Sequence, residues 1–514
     1  MHCTEPEEKR HPTHPETPRV CPPGTATTMA YEPVTVLEQW DVSPSPLPAA
    51  GQPPSLPLTF FDLVFWGFPP VQRLFFYDNP DLAGVVSSDF TAGELPRLKN
   101  SLAAALHHFY PLSGKLTTTC EATAPEVVFS HGDSVQLTVA VSADDFGELA
   151  GDHPRDTARL RPLLPALRKH GGGESQDVLA VQVTVFPRAG VCIGTTLHHA
   201  VADGSSYAHF IKTWASIHRL GLDECKKAVA MDAPPLFDRA VVRDDVGLRE
   251  AFLRDHRALA KSGDRRLDDW DLSHRSTGDV VLATFRFTGT QLLALGKHVE
   301  SETSARCSPN ALACGAPWAG IVHARRRRNI DGEVVAGDMV GEVVASSQER
   351  FGFVTGCKPR VNPPIPVSYF GNCLGLCSVE ATGLVNGGGG LTAAAEGAAA
   401  IWRVIEGLGE EGSALRDARG WVRSVREHAA ARAVTVAGSP KLRLYAAADL
   451  GGAWGRPRKV EIVSVERTGA LAEDGGGGIE VGLALPRAEM EAFRAFYLDL
   501  FDTLSATTEC GNAV

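Results

Sequence analysis

Apolar positions along the chain follow two different periods. In residues 98–116 (LKNSLAAALHHFYPLSGKL) they recur at helical spacing up to a Pro-Leu-Ser-Gly turn, which predicts a buried helix followed by a strand. Residues 178–186 (VLAVQVTVF) and 191–200 (VCIGTTLHHA) are β-rich runs separated by Pro-Arg-Ala-Gly, the pattern of a hairpin. The period then changes. Residues 205–220 carry Tyr207, Phe210, Ile211, Trp214, Ile217 and Leu220 at close to 3.6-residue spacing, which predicts an amphipathic helix.

From 223 to 277 the chain becomes aromatic-poor and charge-dense, with Pro234-Pro235 and several Arg/Asp clusters, so a surface crossover with some helix is expected there. Beyond it, 280–287 (VVLATFRF) reads as a strand, and 289–300 as a helix with Leu292, Leu293, Leu295 and Val299 facing inward. The glycine runs at 387–390 and 475–478 read as loops, because neither joins a strand to a helix that carries a lysine for phosphate. The expected organisation is therefore a disordered extension at 1–29, a first lobe at 30–222, the crossover at 223–277, and a second lobe at 278–514.

Length supports two lobes, since 514 residues is about three times a typical domain. The composition is globular, 44% apolar and 22% charged. A net charge of -11 argues against nucleic acid or an anionic membrane as a general partner. Eleven cysteines scattered from Cys3 to Cys510 without C-x-x-C spacing indicate neither a disulfide framework nor a zinc site. A reducing compartment, the cytoplasm, is expected. No apolar run reaches the roughly 18 to 20 residues that span a bilayer, and the N-terminus shows no apolar signal segment.

Chemistry concentrates where the second β-run meets the helix. Strand alternation sets Ile193, Thr195, Leu197 and His199 on one face, and Thr196 and His198 on the other. Only one histidine of the pair can face a given cleft. Asp203-Gly204-Ser205-Ser206 then supplies a turn with capping residues, so His199 stands at a strand end, where the backbone is fixed and the imidazole stays accessible. An imidazole titrating near pH ~6.5 can take a proton from a hydroxyl and return it to a leaving group. Taken alone, such a histidine is more often simply packed, with Asp203 no more than a helix cap.

Other chemistries find less support. There is no G-x-S-x-G nucleophile elbow and no H-E-x-x-H metal motif, and no second ligand cluster stands near His198 and His199, so no metal is expected. Gly407-Leu-Gly-Glu-Glu-Gly412 matches G-x-G-x-x-G in form, but it follows a helical run and would set two acids against a phosphate.

Several segments together resemble the BAHD acyltransferases of plants, over nearly the whole length from Val34. His199-Ala-Val-Ala-Asp203-Gly204 matches that family's H-x-x-x-D-G, and Phe109-Tyr110-Pro111-Leu112-Ser113-Gly114-Lys115-Leu116 matches a marker of its first lobe. Tyr369-Phe370-Gly371-Asn372-Cys373 matches the Y-F-G-N-C marker of the branch that acylates anthocyanins, flavonoids and other phenolic glucosides. Phe60-Phe61-Asp62, Pro235-Leu-Phe-Asp-Arg239, residues 460–470 and residues 480–484 resemble the same branch.

The resemblance implies an α/β fold of two similar coenzyme A-dependent acyltransferase lobes, like chloramphenicol acetyltransferase, with mixed sheets and a tunnel between them. It implies a cytoplasmic monomer with no permanently bound cofactor and acyl-CoA as co-substrate. His199 would be the general base in a ternary complex, and Asp203 and Gly204 would support the site. So would the counterpart of D-F-G-W-G, a signature that shapes the second lobe; here it reads Asp449-Leu450-Gly451-Gly452-Ala453-Trp454-Gly455, with Leu for Phe and two additional residues. Lys358 and Arg360, in a segment where the branch usually has D-C-R-x-R, are the candidate acyl-CoA contacts. The segment at 331–347 is unusually long. These departures leave a rival reading, a relative that binds a phenolic ligand or a partner without turnover. They also leave the donor open between malonyl, which needs a cation for its free carboxylate, and hydroxycinnamoyl, which needs an apolar slot. Tyr207, His209 and Lys212 on the following helix do not decide between them.

Overall fold

A computed structural model describes residues 34–511 except 49–50, 84–86, 118–123, 222–232, 265–266, 268–279, 331–347, 385–388, 411, 464–467 and 474–476. The expected extension at 1–29 and the long segment at 331–347 lie outside the described residues.

The two β-runs form the expected hairpin, Leu179–Phe186 paired antiparallel with Gly190–Leu197 from Leu179 opposite Leu197 to Phe186 opposite Gly190. Every residue of both strands is buried, which fits β-rich runs that are mostly apolar on both faces of the sheet. They sit at the centre of a six-stranded mixed sheet in the order 35–42, 135–141, 179–186, 190–197, 71–77, 459–462. The last of these strands, Lys459–Ile462, arrives from the far end of the chain.

The exchange runs both ways. Arg155–Asp156 leaves the first lobe to pair with Val280–Phe287 at the edge of a seven-stranded sheet built otherwise from 280–287, 349–356, 374–381, 434–438, 468–473 and 479–486. Packing follows the strands. One apolar cluster holds first-lobe residues together with Cys357, Tyr369, Phe370, Trp421, Leu450 and Trp454, so the core of the first lobe is completed by the second, while a separate cluster from Val281 to Leu504 belongs to the second lobe alone. A five-stranded sheet of short strands lies beside the first.

On one face of the first sheet lie the helices Ser87–His108 and Gly204–Leu220, joined by a hydrogen bond from the Trp214 indole to Ser101 Oγ at 3.1 Å. In the helix after the motif, Tyr207, Phe210, Ile211, Trp214 and Ile217 are buried as the periodicity predicts, whereas Leu220 ends exposed beside the Gly221 cap. The helix expected at 289–300 runs Gly289–Thr303 behind a Thr288/Gln291 capping box. Leu292, Leu295 and Val299 face the core, but Leu293 is 63% exposed, because positions three and four apart share a helical face and its place beside Leu292 does not.

The segment expected as a surface crossover with some helix contains the helix Leu248–Ser262, which is packed and not merely superficial. It buries Leu248, Ala251, Phe252, Leu253 and His256 against the short helix Phe60–Val64, and His256 donates Nε2–H to the Leu63 carbonyl at 2.7 Å. Its outer face is dense in charge, which hid the apolar stripe. Of the glycine runs, the described part of the first, Gly389 and Gly390, caps and opens the helix Gly390–Gly407. Gly477 and Gly478 lead into the strand Ile479–Pro486. Among the described residues no helix is long and apolar enough to cross a membrane.

Candidate active site

The strand Gly190–Leu197 ends one residue before the histidine pair, and the next two residues have different fates. His198 continues the hairpin, donating its amide to the Val178 carbonyl at 2.9 Å, and its ring is buried. His198 Nδ1 accepts the Ala200 amide at 3.2 Å, which makes Nε2 the protonated nitrogen and leaves this ring as the hub of the turn. Burial holds its pKa down at about 3.

His199 is half-buried and stands against the first-lobe aromatics. Its ring stacks on Phe65 at 4.1 Å and 9°, with Phe68 at 5.9 Å. Nδ1 is buried without a partner. Desolvation by these rings, with a contribution from the Arg73 charge, lowers the His199 pKa to about 4, so the imidazole is neutral at physiological pH and holds a free lone pair.

Asp203 is turned toward structure. It caps the helix Gly204–Leu220, with Oδ1 accepting the Ser206 amide at 2.8 Å and the Ser205 hydroxyl at 2.7 Å. Its Oδ2 accepts the Cys373 amide at 3.3 Å, so one carboxylate ties the motif turn to the 369–373 segment. Ser206 adds a second tie, its hydroxyl donating to the Gly371 carbonyl at 3.0 Å. Gly204 is the first residue of the helix and packs closely on Leu442, whose Cδ1 would lie 2.9 Å from an added Cβ and would have to shift.

The 369–373 segment is a clamp. The Asn372 side-chain amide donates to the His199 carbonyl at 2.9 Å and to Asp62 Oδ1 at 3.1 Å, and the Asn372 backbone amide donates to the same Asp62 oxygen at 2.9 Å. Asp62 is itself buried in the capping box of Phe60–Val64, where Thr59 donates to its Oδ2. Tyr369 and Phe370 are held by Arg239, which donates to the Tyr369 hydroxyl at 2.8 Å and to the Phe370 carbonyl at 2.6 Å. Cys373 accepts the Cys357 amide through its carbonyl at 2.8 Å. With both amide protons of Asn372 committed, this side chain positions the His199 backbone and has none left for a developing oxyanion.

The two candidate coenzyme contacts differ. Lys358 Nζ donates to the carbonyls of Tyr369 at 2.8 Å and Val367 at 3.1 Å and to Ser205 Oγ at 3.3 Å, an ammonium fully engaged in closing the same clamp. Arg360 is exposed and bonds only to Thr355 and Gly356 of the preceding strand.

The 449–455 segment, expected to shape the second lobe, packs on the first. Trp454 sits edge-on against Tyr77, Phe90 and His218, and its indole donates to Glu94 at 3.0 Å. The Leu450 carbonyl meets His218 Nδ1 at 3.1 Å, and the Ala448 carbonyl accepts the Tyr77 hydroxyl at 2.8 Å. Gly451 and Gly455 have φ of +67° and +60°, and Asp449 accepts the Gly451 amide while pairing loosely with Arg219 at 3.6 Å. The reason is topological: the strand that follows, Lys459–Ile462, belongs to the first sheet and draws the segment there.

Sequence reasoning did not single out Phe65, Phe68 or Arg73 and gave no role to Asp62. Phe65 and Phe68 follow the quoted Phe60-Phe61-Asp62 marker by a few residues, which is the signal that could have found them. Among the described residues no group of three or more His, Cys, Asp or Glu side chains could hold a metal.

Comparison with known proteins gives a consistent set. Residues 33–497 match the model of a family described as the Transferase family. The chain is similar to a malonyl-coenzyme A:anthocyanin 3-O-glucoside-6''-O-malonyltransferase of Dahlia pinnata, 32% identical over 92% of this chain and 99% of that protein. It is similar also to a coumaroyl-CoA:anthocyanidin 3-O-glucoside-6''-O-coumaroyltransferase of Arabidopsis thaliana, 30% identical over 90% and 96%. Among solved structures it shares the fold of vinorine synthase, at a TM-score of 0.63 and 18% identity over 91% of this chain and 98% of that one.

Proposed function

The chain belongs to the Transferase family, that of the BAHD acyltransferases, and from that premise we propose that it transfers a malonyl or hydroxycinnamoyl group from acyl-CoA to a hydroxyl of a phenolic, flavonoid or anthocyanin glucoside. The observation that carries the reading is His199: a neutral, half-buried imidazole whose own carbonyl is gripped by Asn372 of the clamp. Its Nδ1 faces buried space, which leaves Nε2 to meet substrate.

In a ternary complex His199 removes the acceptor hydroxyl proton as the oxygen attacks the thioester carbonyl. The tetrahedral intermediate then expels coenzyme A thiolate, and His199 returns the proton to sulfur. A base held below its ordinary pKa is always ready to accept, and the imidazolium it becomes is stabilised by the oxyanion formed beside it. General-base catalysis is worth roughly 10² to 10⁴ in rate, so orientation of the two substrates supplies much of the remainder.

Asp203, Gly204 and the 369–373 clamp hold the turn, and the 449–455 segment holds the helix behind it. Arg360 is the exposed cation suited to a coenzyme phosphate, with Lys358 serving as a clip. The described cysteines, all unpaired, suit a cytosolic protein, working as a monomer with acyl-CoA as co-substrate and no resident cofactor. The test is release of coenzyme A thiol from malonyl-CoA and coumaroyl-CoA in the presence of an anthocyanin glucoside. Wild type should release thiol with at least one donor, and His199→Ala should lose about 10² to 10⁴ of that rate. Equal release by both proteins would refute the catalytic role.

A further inference from the structure

A buried cation is costly unless a carboxylate meets it. Among the described residues three lysines and arginines are buried: Arg73, Arg155 and Lys459. Two are paired, Arg155 with Glu461 at 2.6 Å and Lys459 with Asp152 at 2.6 Å. Arg73 has no such partner. Its guanidinium carbon lies 4.3 Å from the centroid of the Tyr207 ring and its Nε is buried without a hydrogen bond, while Tyr207, a neutral phenol that also hydrogen-bonds the guanidinium, is what favours its charge.

The position of this charge is specific. Arg73 lies on Val71–Tyr77, in register with Thr195 of the motif strand, on the face that carries Ile193 and Leu197 and leads to His199. Tyr207, over which it lies, belongs to the first turn of the helix capped by Asp203 and shares a 2.7 Å hydrogen bond with Thr195. Arg73 is also near enough to His199 to oppose its protonation. The fold thus sets one uncompensated positive charge beneath the turn that presents the base.

We infer that Arg73 receives the free carboxylate of the acyl donor, so that the protein selects a dicarboxylic acyl-CoA, malonyl-CoA in particular, over hydroxycinnamoyl-CoA. This rests on the acyl-transfer reading above. In a malonyl thioester the terminal carboxylate is separated from the reacting carbonyl by a single methylene, so a cation on the sheet face that leads to the base can hold the anion while the carbonyl faces the acceptor. The planar guanidinium offers two parallel N–H bonds to it, a geometry lysine lacks. A coumaroyl group would bring an aromatic ring to this charge and leave it unpaired.

Two measurements test the assignment. Equilibrium binding of malonyl-CoA and acetyl-CoA, which differ by the carboxylate alone, should favour malonyl-CoA in the wild type by about tenfold or more. No preference would overturn the proposal, whether or not the protein turns over. The ratio of kcat/KM for malonyl-CoA to that for acetyl-CoA should then fall by about 100-fold in Arg73→Met and recover in part in Arg73→Lys, each variant being checked by thermal melting. Equal losses with both donors would make Arg73 structural and refute its role, as would a wild type that prefers coumaroyl-CoA. Wild type and His199→Ala that release thiol equally from every donor would instead refute acyl transfer, and the binding preference would still decide the fate of Arg73.

Discussion

At the scale of single residues, His198 and His199 show how one backbone step separates a structural histidine from a chemical one. Both are kept neutral by burial, but only His198 has a ring nitrogen engaged in the turn. Because the His199 pKa is pushed down to about 4, the base is present throughout the neutral range. The acid limb of kcat/KM should therefore fall with an apparent pKa well below the ordinary 6.5, and a limb at or above 6.5 would contradict this environment. Stability has the same direction. An unfolded chain takes up protons near pH 6.5 that both folded rings refuse down to about 4 and 3, so stability is full above 6.5 and declines as the pH falls toward 4. Urea midpoints at pH 7.5 and pH 5 would show it, with the lower value at pH 5. His199 and the Asp203 cap were legible in the sequence because strand alternation and capping act within four residues. Asp62 and Arg73 were not, since what makes them matter is contact with Asn372 and with Tyr207, far away along the chain.

At the scale of elements, small residues decide how closely parts approach. Gly315 lies where an added Cβ would be 2.2 Å from the Ala398 amide nitrogen and 2.5 Å from its Cα, so the helices Pro309–Ile330 and Gly390–Gly407 meet backbone to backbone. Gly451 would bring a Cβ to 2.3 Å from Arg219 Cγ, but that obstacle is a flexible, partly exposed side chain, and the lasting penalty is its left-handed φ of +67°. Gly315→Ala should thus cost about 3 kcal/mol or more by forcing two helices apart, and Gly451→Ala about 1 to 2 kcal/mol. Chemical denaturation of the two variants would rank them, and the reverse order would show that the helices adjust more easily than the turn. The clamp segment makes a separate expectation. Asn372→Ala removes the donor to the His199 carbonyl and one of the bonds to buried Asp62, so kcat should fall by about 10- to 100-fold with KM little changed, the signature of a misplaced base. A change confined to KM would assign Asn372 to substrate binding instead. Elements with a clear period, such as the hairpin and the two helices it supports, could be read from sequence. Of the helix Leu248–Ser262 only the presence of some helix in the segment could be read, and not its bounds or packing, because its inward residues are few and its outer face is crowded with charge.

At the scale of the molecule, the exchanged strands make the lobes depend on one another. Lys459–Ile462 closes the first sheet beside Val71–Tyr77, and Arg155–Asp156 closes the second beside Val280–Phe287. Where they cross, Arg155 meets Glu461, Glu461 also accepts the Thr284 hydroxyl, and Lys459 bridges Asp152, Glu461 and Glu480. Breaking such a buried pair leaves a charge without a partner, which typically costs 3 to 5 kcal/mol, so neither lobe can shed the other's strand cheaply. Chain order gave no hint of this, since a four-residue strand late in the sequence carries no mark of the sheet it will join. A fragment of residues 30–277 would therefore lack the edge strand of its sheet, the carboxylate opposite Arg155, and the Trp421, Leu450 and Trp454 side chains that complete its core. It should be expressed as an aggregated or protease-sensitive chain with no cooperative melt, while the whole protein unfolds in one transition. A monodisperse fragment that melts cooperatively would show that the first lobe is self-sufficient and that the exchange serves to orient the lobes around His199 without being needed to form them.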